Sequence, residues 1–211
     1  VTAAIDALNS YAVGSFWCQD ITRADQTGAA VTLEPKYLAL VAAAVQCAMA
    51  IGEPMTHKRM TCTSYTQAAT IDVDNNQNVL ISLGLSFVAV VDGTIQFVRP
   101  LTTYRVGDNS YLDEPGSVLS YFASTNDVHD EFARVRAIGS ANTRLTAKDA
   151  ESIALSRLNK QKLAKTIKNF DPDSVLATEV GSDWYRIAYD VQPVSGINFL
   201  ETQPALVTVQ A

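Results

Sequence analysis

Histidine, cysteine and positive charge are scarce in this chain, and each scarcity removes a class of function. Only two histidines, His57 and His129, occur in 211 residues, far apart in the sequence. Three cysteines, Cys18, Cys47 and Cys62, form an odd set without a C-x-x-C spacing, so neither a disulfide framework nor a zinc site is expected. Cys47 lies in an Ala-rich run and is expected to pack as a small hydrophobe, and reduced cytoplasmic thiols fit the set best. Sixteen Lys and Arg against 22 Asp and Glu give a net charge of −6, which argues against a nucleic-acid partner, whose phosphates call for a basic face. The longest apolar run, Tyr37 to Ile51, is broken by Gln46 and falls short of the roughly 20 residues a bilayer requires, so no membrane insertion is expected. No charged leader with an apolar block opens the chain, and it reads as soluble.

Catalytic signatures are missing as well. There is no G-x-S-x-G elbow, no phosphate-binding P-loop and no G-x-G-x-x-G turn. Asp72 to Asn76 opens like a calcium loop, but Gln77 stands where glycine is needed and Leu83 where the bidentate glutamate belongs. His129 is flanked by Asp127, Asp130 and Glu131, a group able to attract a cation; a solvated helix surface explains it better, because a metal site needs ligands converging at fixed geometry. Cys62 near His57 shows neither a depressed thiol pKa nor an oriented base. No cofactor or metal is expected, and no enzyme.

What the chain does contain is a globular composition, 47% apolar, in a mixed order of helices and strands. Ser10 to Cys18 reads as a first strand. Pro35 suits the first position of a helix that Gly52 stops after Ile51. Asp74 to Asn78 supplies caps for a helix ending at Gly84, a residue suited to the left-handed C-terminal position. Leu85 to Val91 and Thr94 to Val98 flank Asp92-Gly93, a two-residue hairpin signal, with Ile95 and Phe97 on one face. Arg99-Pro100 ends that ladder. Pro115 to Ala137 has helical spacing, with Ser124 to Asn126 as a candidate break. Thr146 and Asp149 form a candidate capping box for a long helix whose apolar face would carry Ala154, Leu155, Leu158, Leu163 and Ile167. Strands follow at Val175 to Val180 and Trp184 to Val191. The fold class is α/β (α+β), a mixed sheet flanked by helices.

The segment from Asn78 to Asp113 resembles the core of contractile phage tail sheath proteins. The resemblance rests on a helix entering Leu80, Leu83, Gly84 and Leu85, the Asp92-Gly93 hairpin, then Arg99, Leu101, Thr102, Thr103 and Tyr104, and a polar loop before Asp113. Lys36 to Arg59 resembles the family's Ala-rich helix and G-x-P-x-T-x-K segment. Thr146 to Asn169 is similar to its late helix, and Val191 to Val209 to its terminal strands. This resemblance implies a structural subunit that polymerises as stacked hexameric rings around a tail tube and contracts to drive the tube through the host envelope. Implied partners are further copies, the tail tube protein, and baseplate and tail terminator proteins, in a virion tail assembled in the host bacterial cytoplasm. Type VI secretion and R-type bacteriocin sheaths share the mechanism, and the LTTY form leans toward a phage. Residues 1–170 are expected to form a core region truncated at its N-terminus, and 171–211 the C-terminal strands and inter-subunit arm.

Two features suit contact surfaces. Arg157, Lys160, Lys162, Lys165 and Lys168 include no acid between them, and Arg157, Lys160, Lys165 and Lys168 would share one side of a helix. The resemblance implies that this stripe faces the tube; a solvated face with cations near a helix C-terminus is the plainer alternative. The tail alternates apolar residues at Ile197 and Phe199, then Leu206 or Val207 and Val209, as an edge strand does. In the resembled family such strands are exchanged between subunits. The competing reading is a small cytoplasmic α/β enzyme with a pocket around Arg99, Tyr104, Tyr111 and Asp113.

Overall fold

The computed structural model describes residues 9–10, 12–17, 20–62, 64–65, 79–104, 110–135, 145–181 and 184–195. In chain order the elements are β1 (Phe16–Trp17), β2 (Ile21–Ala24), β3 (Ala30–Leu33), α1 (Lys36–Ala48), β4 (Ser64–Tyr65), β5 (Ser86–Val91), β6 (Thr94–Phe97), α2 (Pro115–Arg134), α3 (Ala147–Leu163), β7 (Ile167–Phe170), β8 (Leu176–Gly181), β9 (Trp184–Ala188) and β10 (Val191–Pro193). Single 3-10 turns lie at Ser110–Asp113 and Pro172–Ser174. The class is α+β. The strands of the described residues divide among four small sheets, β1-β5-β6, β3-β2-β4, β10-β7 and β8-β9, and only the first mixes parallel and antiparallel pairs.

The central hairpin follows from its turn. Asp92 and Gly93 take φ of 49° and 71°, the paired positive values that match the twist of the flanking strands, and Val88 lies opposite Phe97. Alternation then divides the apolar residues. Val88, Ile95 and Phe97 pack with Ile21, Leu38 and Met60, while Phe87 and Ala89 pack with Leu80 and Leu85. The outer edge of β6 is covered by residues 57–60: His57 N–H donates to Phe97 O (2.8 Å) and Met60 N–H to Ile95 O (2.8 Å). Before β5, residues 79–82 are helical and close as expected at Gly84, whose φ is 73°; Leu85 N–H reaches Leu80 O and Gly84 N–H reaches Ile81 O.

Downstream of the hairpin, Leu101, Thr102 and Thr103 are all buried. Thr102 N–H donates to Asp113 O (2.8 Å) and its hydroxyl to Leu112 O (2.6 Å). Thr103 N–H donates to Val13 O (2.7 Å) and its hydroxyl to Ser10 O (3.0 Å). Buried Ser86 completes the join, its hydroxyl accepting from Leu101 N–H (2.7 Å). These side chains satisfy backbone groups that no regular ladder reaches, so Ser10 and Val13, the 3-10 turn and the hairpin are held together.

Several expectations are corrected. Of the expected first strand, Tyr11 and Cys18 lie outside the described residues; among the rest only Phe16–Trp17 is a strand, Ser10 being tied by the Thr103 side chain and Gly14 by one isolated bridge to Thr102. A β2–β3 hairpin appears between β1 and α1, its turn organised by the Asp25 carboxylate, which accepts from Thr27 N–H, the Thr27 hydroxyl and Ala29 N–H. Pro35 sits one residue before the first turn of α1, and the helix ends at Ala48 because Met49 turns extended. Cys47 is exposed. Ser124 to Asn126 do not break α2, which runs unbroken for 20 residues. Trp184 to Val191 is not one strand, since residues 189–190 separate β9 from β10.

The capping box at the start of α3 forms as expected: Asp149 N–H donates to the Thr146 hydroxyl oxygen (3.2 Å) and Thr146 N–H to the Asp149 carboxylate (3.0 Å). The helix stops at Leu163, six residues before the expected Asn169. Lys165 adopts φ 59°, Lys165 N–H bonds Lys162 O and Thr166 N–H bonds Gln161 O, so the chain reverses into β7 and Ile167 is buried there instead of on the helix. Ala150, Ala154 and Leu158 face Val128 and Phe132 of α2, together with Ile167, Phe170 and Val175. This cluster spans the 170/171 position, and β7 on one side of it pairs with β10 on the other.

Candidate interaction surfaces

Across the α2–α3 interface runs a polar seam. Ser124 donates its hydroxyl to Gln161 Oε1 (2.6 Å), and Gln161 Nε2 donates back to Ser124 O (3.1 Å) and to Asp127 Oδ2 (2.7 Å). Arg157 Nε donates to Asp127 Oδ2 (2.7 Å), its Nη2 to Asp127 Oδ1, and its Nη1 lies 3.7 Å from Glu131 Oε2. Arg134, one turn along α2, donates Nε and Nη2 to both oxygens of Glu131. Two carboxylates and two guanidiniums thus interlock, with bidentate geometry at each principal pair. Hydrogen bonds from Arg134 pull the Glu131 carboxyl down to about 2, and those from Arg157 lower Asp127. Arg157 is raised in turn, chiefly by Asp127.

This seam changes the reading of the basic stripe. Arg157 is committed to its own fold, Lys160 is exposed on α3, Lys165 lies in the closing turn and Lys168 on β7. The four therefore do not line one helical face, because the helix ends before the last two. Lys160, Lys162, Lys165 and Lys168 are exposed and make no ion pair with the described residues. Beside them stands Leu163, 83% exposed, which helical periodicity had assigned to the buried face. The inter-subunit strand candidates Ile197, Phe199, Leu206, Val207 and Val209 lie outside the described residues.

Two open clefts border this region. One, of about 410 Å³, runs along α2 and α3 past Asn126, Asp127, Asp130, Arg157, Lys160 and Thr166. The other, of about 540 Å³, is lined by Asn169, Phe170, Asp171, Pro172, Asp190, Val191 and Gln192 at the β7–β10 sheet. Neither is lined by Arg99, Tyr104, Tyr111 or Asp113. Those residues sit where chain segments are joined: Tyr104 N–H donates to the Thr102 hydroxyl, Asp113 O accepts from Thr102 N–H, and the Tyr111 hydroxyl accepts from Gln192 Nε2. Around His129 the acids diverge, with Asp127 and Glu131 turned to the arginines and Asp130 3.8 Å from His129 Nδ1. Among the described residues no group of three or more His, Cys, Asp or Glu side chains is arranged to hold a metal ion.

Similarity to solved structures gives these surfaces a context. The sheath tail protein of Desulfitobacterium hafniense superposes over 91% of this chain with a TM-score of 0.68 at 14% identity. The sheath tail protein of Listeria innocua does so over 84% with a TM-score of 0.67 at 13% identity. The chain has a tail-sheath fold. It spans less than half of either sheath structure, 44% of the first and 42% of the second. No family model and no curated protein matches the sequence. The Leu101-Thr102-Thr103 motif, on which the resemblance most depends, is buried in this chain, where Thr103 holds Ser10 and Val13.

Proposed function

We propose that this chain is part of the structural subunit of a contractile tail sheath. The subunit polymerises as stacked hexameric rings around a tail tube, between baseplate and terminator proteins, and resides in the virion tail after assembly in the bacterial cytoplasm. Contraction repacks contacts between copies and drives the tube through the host envelope for genome delivery. The energy comes from the difference between two packings of the same subunits. The observation that carries this reading is the sheath fold over 91% of the chain. The buried Leu101-Thr102-Thr103 joint supports it, because a subunit that transmits load needs its chain segments fastened to its core. The terminal residues from Ile197 to Val209 add to a neighbouring sheet as a strand, a mode in which backbone bonds of about 0.5–1.5 kcal/mol net each accumulate around a ring.

The test is negative-stain electron microscopy of the complete gene product that contains this sequence, alone and with its tube protein. Rings or striated tubes are the expected result. Monomers under both conditions at high concentration overturn the reading.

A further inference from the structure

The end of α3 carries an arrangement that helix physics explains only in part. Cations near a helix C-terminus are favoured by the dipole, which accounts for Lys160 and Lys162. It does not account for Leu163, 83% exposed between them and Lys165. Lys160 lies one turn before Leu163 on the same side of the helix, Lys162 precedes it in the last helical turn, and Lys165 follows it in the closing turn. The result is an exposed apolar knob with cations close by: Lys160 lies near enough to Glu131 to help lower its carboxyl, while Lys162 and Lys165 make no ion pair among the described residues.

The counterpart is on the same chain. The cleft at the β7–β10 sheet is open to solvent and has a volume of about 540 Å³. Its apolar contribution comes from Phe170, Pro172 and Val191, and its charge from Asp171 and Asp190, with exposed Asp173 next in sequence. The knob and the cleft lie at opposite ends of β7. Five residues, Thr166 to Phe170, separate Lys165 from Asp171, and the four of them in β7 alone span roughly 13 Å at about 3.3 Å each. Two complementary patches displaced along one direction cannot satisfy each other within a molecule; they meet only between copies.

We propose that Leu163 and its lysines dock into the Asp171–Asp190 cleft of a second copy of this chain. The inference rests on the sheath reading above and names one contact within that assembly. The contact is heterologous, head to tail, so each copy offers a knob to one neighbour and a cleft to another, and the rotation between copies decides whether the series closes into a ring or runs on as a stack. Leu163 is the buried anchor, and the lysine–aspartate pairs select partner and orientation and make the association sensitive to salt.

The experiment uses the complete gene product carrying Leu163→Asp or Asp190→Lys, followed by sedimentation velocity over concentration and salt. Both positions are exposed, so melting and circular dichroism should match wild type; Lys162→Glu is a second knob variant. Each substitution should weaken self-association by about tenfold or more. An equimolar mixture of Leu163→Asp and Asp190→Lys should associate more strongly than either variant alone, because one protein retains an intact cleft and the other an intact knob. Wild-type assembly with equally competent variants overturns this contact and leaves the sheath reading standing. Loss of co-sedimentation with tube at unchanged self-association overturns it too, and assigns the knob to the tube. Wild-type protein that never self-associates removes both.

Discussion

Glu131 is only 7% exposed, yet it stays ionised because Arg134 hydrogen-bonds both its oxygens and Arg157 approaches from α3. The sign of the pH effect follows. Its carboxyl falls from 4.5 to about 2 on folding, so the stabilisation is complete above about pH 4.5 and is lost as pH drops toward 2. Asp127, lowered by Arg157, adds in the same direction. Urea midpoints should therefore hold steady from neutral pH to about 5 and then decline, and Glu131→Gln should flatten that decline while lowering the plateau; a variant curve parallel to wild type would contradict the assignment. The neutral members of the seam matter separately. Gln161→Leu strands the Ser124 hydroxyl and removes a donor from Asp127, a loss of about 1–3 kcal/mol measurable by urea unfolding.

At the scale of elements, α3 shows how local chemistry sets helix limits. Its start is fixed by the reciprocal Thr146–Asp149 bonds, and its end by Lys165 in the left-handed region at φ 59°. A side chain there costs about 1–2 kcal/mol relative to the right-handed region, a penalty glycine escapes. Lys165→Gly should accordingly raise stability, by up to about 1 kcal/mol once glycine's greater unfolded entropy is deducted. Thermal melts that fall instead would mean that the lysine side chain contributes to the turn.

The same elements show what was legible in the sequence. The central hairpin, the Gly84 stop and the capping box were readable because their causes lie within a few residues. The end of α3 was not, since a lysine occupies a position that usually announces itself as glycine, and periodicity continued through Leu163 and Ile167 past the true end. The β2–β3 hairpin escaped because its strands alternate weakly, although Asp25, Thr27 and Gly28 carry the turn chemistry. Arg157 looked available for a partner because Asp127, which binds it, is 30 residues away. Only tertiary packing reveals that pairing, and with it that the stripe is not continuous.

In the whole molecule, the cluster around the hairpin and the cluster between α2 and α3 meet through backbone at close range. Gly52 has φ +80°, and a Cβ placed there would lie 2.7 Å from Val194 Cβ. A Cβ on Gly116 would lie 3.0 Å from Glu53 O. Ser120 ties the same region together, donating to Thr166 O (2.7 Å) and accepting from Val194 N–H (3.1 Å). Gly52→Ala is therefore expected to destabilise by two routes, the left-handed strain and the clash with β10's exit. Calorimetry should show a lower Tm, and two separated transitions if the join is what makes the two clusters melt together. A single transition at the wild-type Tm would show that the contact is dispensable.

The threonine joint has a mechanical consequence. β1 runs parallel to β5, so tension entering the chain ahead of Phe16 and leaving through the end of β5 slides one strand along the other instead of unzipping it. Bonds loaded in that direction resist together, not one after another. Thr103, bonded to Ser10 and Val13, and the Gly14–Thr102 bridge meet that pull ahead of the strands, like a seam stitched crosswise to it. In the proposed sheath, a fold built this way would act as a stiff link in a cable, passing force through its central hairpin.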